Sequence, residues 1–490
     1  MRTIESAHEF RSHMSVIGGT RAVAGPALAD VVDAQRTAFA AHPPQCADRL
    51  AALRALERAV MRHRDDITAA ISQDFGGRAS EETLALELFP LLNEIRHACR
   101  NLKGWIASRR AAVRWQFWPA QARVVYRPLG VVGILSAWNY PFFLSFAPLT
   151  SALAAGNHAL LKPSEAAPAS AALLASIVSE LYPPSYVHVI RGGTDTAAEF
   201  VRLPLDHVLF TGSSRVGKLV MKAASERLVP VTLELGGKSP AIVHPAYPVE
   251  RAAKSILTGK LYNAGQTCVA PDYVLLPRGR ADEFVSAAQK TVARMYPTLV
   301  DNRDYTRIIN AHHYRRLAEL VDDARRRGAD VIEIKSTADA CDEANRVFPP
   351  TIVTNVREDM AIMHEEIFGP VLPLVDYHSM DEAIEYVNAR PHPLALYYFD
   401  NDRSRVNGVL GRVAAGGVTV NDCLLHVGQA GLPFGGIGPS GMGRYHGFDG
   451  FQTFSHKQGV FFQPRWSPVT LLRPPYGATA RHLFRFVLRT

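Results

Sequence analysis

The apolar positions of this chain change their period several times, and the changes divide it into segments. Over residues 48–71, Leu50, Leu53, Leu56, Val60, Ile67 and Ile71 recur at helical spacing among many charges, and residues 81–106 repeat the pattern with Leu84, Leu88, Leu91, Ile95, Leu102 and Trp105. The spacing predicts two long amphipathic helices. Residues 113–127 then turn aromatic and β-branched around Pro119, which predicts a protruding hairpin. Between 129 and 235, apolar strands near 130–136, 158–161, 187–190, 207–210 and 231–235 alternate with helical segments near 143, 167, 194 and 214, the rhythm of a parallel sheet wrapped by helices. After Gly236-Gly237 the rhythm restarts. Helices are predicted near 250–263, 281–295, 311–327, 381–389 and 402–411, and strands near 272–276, 330–334, 351–354, 371–376, 394–399 and 417–420, so a second α/β domain follows the first.

Residues 128–161 contain no Asp, Glu, Lys or Arg and are long enough to cross a bilayer. Asn139, Pro141, Pro148, Gly156 and Asn157 break the run into short pieces. A buried βαβ unit explains it better, because parallel strands covered on both faces read as continuous apolar segments.

Composition narrows the class. The 490 residues are enough for roughly three structural units. With 47% hydrophobic and 20% charged residues, 35 Gly and 32 Pro, the chain is an ordinary globular protein, not a collagen-like, disulfide-scaffold or disordered one. A net charge of +8 leaves anionic small molecules, lipid and nucleic acid open as partners. The densest basic runs, Arg109-Arg110 and Arg325-Arg326-Arg327, end helix-like stretches where cations complement the helix dipole, and no nucleic-acid-binding signature accompanies them. Five cysteines without a close pair suit a reducing compartment, and residues 1–30 show no apolar signal region, so a cytoplasmic protein is expected.

The most visible nucleotide motif misleads. Gly436-Ile437-Gly438-Pro439-Ser440-Gly441 satisfies G-x-G-x-x-G but follows a Pro- and Gly-rich loop and opens no helix. His8-Glu9 and His13 miss the H-E-x-x-H spacing by one residue, so no metal site is expected. In the segment 210–218 an apolar strand runs through Gly212 and Ser213 into a helix, whose free amides suit an anion or serve a plain strand-to-helix turn. Lys162 and Glu165 lie just past a strand end, where ligands of open α/β sheets sit; the carboxylate suits ribose hydroxyls and the lysine suits hydroxyls or a phosphate. Gly265-Gln266-Thr267-Cys268 places a thiol among a glycine and polar residues, and Glu234 stands at a strand end before two glycines. On chemistry alone, Cys268 reads equally as a nucleophile with Glu234 as its base or as a small core residue.

Together these segments resemble the aldehyde dehydrogenase superfamily over residues 34–465. Trp138-Asn139-Tyr140-Pro141, the 162–165, 210–217, 234–240 and 265–268 segments, Glu365-Glu366-Ile367-Phe368-Gly369-Pro370 and Leu432-Pro433-Phe434-Gly435-Gly436 occur in the family's order. The Cys268 segment through Tyr273, and Ser440-Gly441-Met442-Gly443 with Tyr445-His446-Gly447, look like the class 3 branch, which includes bacterial coniferyl aldehyde dehydrogenases. The Trp118-Pro119 hairpin and the 471–477 tail look most like the coniferyl type.

The resemblance implies a Rossmann-like cofactor domain over 31–112 and 128–236, an α/β catalytic domain over 237–450, and a small β bridging or oligomerisation segment over 113–127 and 451–466. Residues 1–30 and the basic tail 467–490 flank them. It implies that Cys268 attacks the aldehyde, that Asn139 and the Cys268 amide hold the oxyanion, and that Glu234 activates the hydrolytic water. Lys162 and Glu165 match the adenosine-ribose positions, Gly212, Ser213 and Gly217 surround the pyrophosphate, Glu366 holds the nicotinamide ribose, and Phe368 lies against the nicotinamide. NAD is the implied cofactor, with NADP also usable.

The implied substrate is a hydrophobic, aromatic aldehyde. A medium- or long-chain aliphatic aldehyde is the alternative; a CoA-acylating relative and a non-catalytic structural protein fit the intact Cys268, Glu234 and Asn139 set less well. Class 3 relatives imply a homodimer, without nucleic-acid or membrane partners. Lys238 and Ser239 read as structural, and Glu365 as facing away. Trp115, Phe142, Phe143, Phe434 and Tyr445 are candidates for a substrate tunnel, each with core packing as its simpler role. Arg481, Arg485 and Arg489 beside Leu483, Phe484, Phe486, Val487 and Leu488 predict a short amphipathic helix that docks on protein rather than lipid.

Overall fold

The computed structural model describes residues 27–337 and 339–488, so most of the 1–30 segment, and Arg489, lie outside the described residues. Its strands form three sheets. The first takes β3 (Val131–Leu135), β4 (His158–Lys162), β5 (Val187–Val189), β6 (His207–Thr211), β7 (Val231–Glu234) and β15 (Gly441–Met442) in the order β15-β7-β6-β3-β4-β5. Only β15 is antiparallel to its neighbour. The chain runs outward from β3 to β5, returns beside β3 as β6, and continues to β7. Strand order therefore reverses between β3 and β6, and the crevice at the carboxyl ends of these strands is where open α/β sheets hold ligands.

The charge-free run folds as the predicted βαβ unit. Every residue of β3, of the helix Pro141–Ala155 and of β4 is buried. With both faces of the sheet covered, no position tolerates an unpaired charge, which removes the polar half of the usual alternation.

The second sheet has seven strands: β8 (Pro240–Val243), β9 (Tyr273–Pro277), β10 (Asp330–Glu333), β11 (Thr351–Thr354), β12 (Val371–Tyr377), β13 (Ala395–Phe399) and β14 (Gly417–Val420), ordered β10-β11-β12-β9-β8-β13-β14. Only β10 runs antiparallel to its neighbour. The third sheet is antiparallel and joins β1 (Arg109–Ala111), β2 (Gln121–Pro128) and β16 (Ser455–Phe462). The hairpin predicted over 113–127 begins earlier than that: β2 falls almost wholly within it, but its partner β1 lies at 109–111, Trp115–Phe117 forms a short turn between them, and a late strand is added to the open side.

Several elements differ from the sequence pattern. The first predicted helix is two, Cys46–Arg62 and Arg64–Phe75, separated at His63, and a helix Leu28–Ala41 precedes them. The second carries a π-turn, Leu84–Leu88, between Ser80–Thr83 and Phe89–Ile106. Hydrophobic periodicity tolerates both departures, because neither a one-residue break nor one long turn erases the apolar stripe. Strands β8 and β15 are too short for a period-2 signal; β15 adds residues 441–442 to the first sheet, although they follow the second sheet in sequence.

The tail forms the predicted helix, Ala478–Val487. The Phe486 ring lies 6.5 Å from Trp115 of the hairpin, while Phe484, Phe486 and Leu488 stay exposed. Among the described residues no helix is long and apolar enough to cross a membrane.

Candidate active site

Glu234 ends β7 and Pro240 begins β8, so the five residues between them carry the chain from the carboxyl edge of the first sheet to the second. The candidate chemistry gathers at that junction. Glu234 is buried and neither carboxylate oxygen has a hydrogen-bond partner. Burial alone pushes its carboxyl well above the ordinary range, favouring the protonated form until water or another donor reaches it.

Cys268 is held by an irregular loop. The helix Val249–Leu261 ends, and Asn263, Ala264 and Gly265 follow with left-handed φ of 53°, 49° and 75°. Only glycine fits at 265: a Cβ there would fall 2.2 Å from the Gly369 carbonyl oxygen. The buried Gln266 side chain pins the turn, accepting from the Ile309 amide (2.9 Å) and donating to the Asn263 (2.9 Å) and Arg307 (3.1 Å) carbonyls. Thr267 shares a 2.6 Å hydrogen bond with the Tyr140 hydroxyl. The half-buried Cys268 thiol accepts from its own amide and that of Val269, yet burial and the Glu366 and Glu234 carboxylates push it up to about 12. At neutral pH it rests as a thiol.

Asn139 follows β3 by four residues and is buried, with its side-chain amide donating to the Gln266 carbonyl at 3.1 Å. A tunnel of about 290 Å³ opens on Cys268, Glu234 and Thr267, walled by Phe89, Tyr140, Phe143, Tyr262, Leu424, Phe434 and Tyr445 among others. Three of the five candidate aromatics therefore line it: Phe143, Phe434 and Tyr445. Phe142 is packed in the core and Trp115 stands on the hairpin, 58% exposed.

The predicted cofactor residues occupy the other side of the junction. Lys162, buried at the end of β4, bonds Glu165 at 2.7 Å. Past β6, Ser213 caps the helix Ser214–Ser225 by accepting from the Val216 amide at 3.4 Å, so that helix directs its first amides at the strand-end crevice beside Gly212. Gly217 is buried behind the turn, where a Cβ would fall 2.7 Å from Leu235; it lets the helix approach the sheet. Glu366 packs its carboxylate over Gly236, where a Cβ would collide with it, and burial with the Asp272 charge raises it to about 8. The Phe368 ring lies 5.4 Å from Trp138, which in turn lies 4.9 Å from the His313 ring.

The neighbouring motif residues hold the frame. Lys238 pairs with Asp272 and donates to the Ile362 (2.7 Å) and Glu365 (3.0 Å) carbonyls, Ser239 accepts from the Ala395 amide at 3.2 Å, and the Glu365 side chain is exposed. The 436–441 glycines make no dinucleotide turn. They form a tight reversal that pairs Gly441 with Glu234 and so flanks the buried carboxylate.

Sequence reasoning missed Arg78, Glu82 and Glu87, which form a buried ion-pair group beside the Asn139 and Cys268 loops. The one available signal was Glu82 and Glu87 falling, like Glu94, on the buried side of an amphipathic stretch. Tyr445, a tunnel candidate from the sequence, lines the tunnel together with Glu234 and Cys268.

The sequence profile of the aldehyde dehydrogenase family matches residues 10–460. A coniferyl aldehyde dehydrogenase of Pseudomonas sp. strain HR199 is 42% identical over 486 residues, covering 97% of this chain and 100% of that enzyme. Among solved structures, the substrate-bound state of Staphylococcus aureus AldH superposes with a TM-score of 0.89 at 37% identity, covering 94% of this chain and 100% of that one. Aldehyde dehydrogenase from Mycobacterium tuberculosis complexed with NAD+ gives 0.80 at 28% identity, covering 90% and 91%. Matched along most of its length, and carrying a thiol and a carboxylic acid on one apolar tunnel, the chain belongs to the aldehyde dehydrogenase family and is an aldehyde dehydrogenase.

Proposed function

We propose that this enzyme oxidises hydrophobic, aromatic aldehydes of the coniferaldehyde type to carboxylic acids, with Cys268 as nucleophile, Asn139 as oxyanion donor and Glu234 as the base for hydrolysis. The observation that carries this reading is one tunnel that opens on both the Cys268 thiol and a Glu234 carboxyl free of any protein hydrogen bond, behind a wall of aromatic side chains. Similarity to the coniferyl aldehyde dehydrogenase supports the substrate class.

The thiol loses its proton to solvent through the tunnel as its sulfur bonds the aldehyde carbon, which leaves Glu234 for the later step. The former carbonyl oxygen then takes hydrogen bonds from the Cys268 amide and from Asn139, whose side chain gives up its bond to Gln266. NAD, when bound, supplies the hydride acceptor that leaves a thioester on Cys268. Glu234, ionised, then draws a proton from water as the water oxygen bonds the thioester carbon; the carbon–sulfur bond breaks to release the acid, and the proton held on Glu234 passes to the departing sulfur to restore the thiol. A CoA-acylating outcome needs no such base, so the free carboxyl at 234 supports hydrolysis.

The site suits a dinucleotide. The capped helix start beyond β6 presents amides for its phosphates, the Lys162 and Glu165 pair stands where adenosine-ribose hydroxyls would bond, and Glu366 can accept from the second ribose. Phe368 would bound the nicotinamide, and the NAD+ complex of the M. tuberculosis structure supports the same cofactor here. Glu165 disfavours a 2′-phosphate while Lys162 offsets part of that repulsion, so NAD is preferred and NADP is usable. We assign cofactor binding to 31–112 and 128–236, catalysis to 237–450, and homodimer contact to the bridging segments 113–127 and 451–466, in a cytoplasmic enzyme.

A panel of coniferaldehyde, benzaldehyde and straight-chain alkanals, each with NAD and NADP, tests the reading. Highest kcat/KM for an aromatic member supports it; highest kcat/KM for a long alkanal overturns the substrate class in favour of the aliphatic alternative.

A further inference from the structure

Asn139 and Cys268 sit on separate loops, 129 residues apart in sequence, and their relative position decides whether one oxyanion can meet both donors. A buried group of three charged side chains touches both loops. Arg78 lies between Glu82 (3.4 Å) and Glu87 (3.0 Å), and all three side chains are almost wholly inaccessible.

Glu87 serves the Asn139 side. One of its oxygens accepts from the Phe142 (3.0 Å) and Phe143 (3.1 Å) amides, the second and third residues of the helix that starts at Pro141. These are the free amides of a helix start, and a carboxylate there fixes where the helix begins. Asn139 stands two residues earlier. Arg78 adds a long contact to the Asn139 carbonyl (3.4 Å), and its guanidinium sits 4.9 Å from the Tyr140 ring centre.

Glu82 serves the Cys268 side. Its Oε1 accepts from the Asn263 amide at 2.7 Å and the Thr306 hydroxyl at 3.2 Å. Asn263 is the first of the three left-handed residues that aim Cys268, and its side-chain amide donates to the Asn139 and Gln266 carbonyls, each at 3.1 Å. The two halves therefore meet at Asn263.

Local backbone geometry makes the group possible. In a regular α-helix residues turn by about 100° each, so positions five apart diverge by about 140°. The π-turn at Leu84–Leu88 closes on an i to i+5 bond, Phe89 amide to Leu84 carbonyl, and swings residues 82 and 87 toward one guanidinium.

We infer that Arg78, Glu82 and Glu87 are positioning residues that set Asn139 against Cys268, making the oxyanion site a property of one buried ion group rather than of either loop. This rests on the proposed oxyanion role of Asn139. None of the three touches the tunnel, so none is a catalytic residue.

The test is a double-mutant cycle read in kcat/KM, with NADH binding followed by fluorescence as the control for an intact fold. Asn139→Ala alone should lower kcat/KM by about 100-fold or more; if it does not, the oxyanion reading itself fails. Glu87→Gln, which removes the charge that faces Arg78, should lower kcat/KM by about 10- to 100-fold in the parent enzyme through kcat, with NADH affinity unchanged. In the Asn139→Ala background the same substitution should cost less than about threefold, because the donor it positions is gone. Equal losses in both backgrounds, or no loss in the parent, overturn the inference while leaving Asn139's role standing. Should Glu87→Gln fail to fold, Arg78→Lys, which keeps the charge but loses the two-sided fork, enters the same cycle with the same expected non-additivity.

Discussion

The junction around Cys268 and the module made of the three-stranded sheet and the C-terminal helix handle charge in opposite ways. At the junction, charged groups are buried and most are matched: Arg78 between two glutamates, Lys238 on Asp272, Lys162 on Glu165, with Glu234 left free. In the module, residues 109–128 and 454–490 carry 11 Lys and Arg and no Asp or Glu, leaving 43 cations against 46 acids elsewhere. The whole positive balance of the chain belongs to that module. Several of its aromatics are also open, with Trp118 63% and Trp466 73% exposed.

The contrast separates two kinds of sensitivity. A buried charge without its partner keeps the full cost of desolvation, so one substitution at the junction is transmitted to the reacting atoms. An exposed cation is screened by water and salt, so one substitution in the module changes little and only the loss of a whole surface registers.

The sharpest way to break the comparison is at the thiol. Cys268→Ala should reduce aldehyde oxidation by at least about 10⁴-fold while NADH still binds, since only the covalent step is removed. Substantial remaining turnover would refute the nucleophile. Glu234→Gln should slow steady turnover by about 10²- to 10⁴-fold yet leave a first-turnover burst of NADH, because the base acts after hydride transfer. Loss of the burst would instead make Glu234 the group that deprotonates the thiol.

Smaller effects sharpen the contrast. Glu165→Gln should raise the efficiency with NADP relative to NAD by about tenfold, as a charge-assisted bond to ribose and a repulsion of phosphate disappear together. An unchanged ratio places Glu165 away from the ribose. Glu366, raised to about 8 by burial and Asp272, holds its proton in the folded enzyme at pH values where the unfolded chain has released it. Between about 4.5 and 8 the folded state binds more protons, so this group's contribution weakens as pH rises. Glu366→Gln should therefore raise the unfolding temperature at pH 8 and do so much less at pH 5, as scanning fluorimetry would show; the same difference at both pH values would contradict the raised carboxyl.

The module should give the least. Removing residues 478–490 takes away the Phe486 contact with Trp115 and should lower the unfolding temperature by about 1–3 °C without affecting sedimentation with anionic vesicles. Vesicle binding that disappears with the deletion would show the helix face meeting lipid instead of protein.

Much of the architecture was legible along the chain because both α/β sheets announce themselves locally. Apolar strands alternate with helices of ordinary length, and the charge-free 128–161 run could only be a buried unit once its breakers were counted. Cys268, Glu234 and Asn139, the residues proposed to react, were singled out through the family resemblance of the short motifs that hold them. The 436–441 glycines were correctly set aside, because a dinucleotide turn requires a helix behind it.

What the sequence determined by itself was most of the helices and strands and, through short motifs spread along the chain, the resemblance to the family with the side chains proposed to react, because each of these signals is carried by neighbours within a few residues. Tertiary structure alone decided that Gly441 pairs beside Glu234, that Phe143, Phe434 and Tyr445 share a tunnel while Phe142 does not, and that Arg78 joins two loops distant in the chain. These are relations between segments brought together by burying apolar surface, and a buried ion group has no period of its own. Glu82 and Glu87 read along the chain as interruptions of a stripe; only a turn one residue longer than the rest, packed against Arg78, makes them a pair.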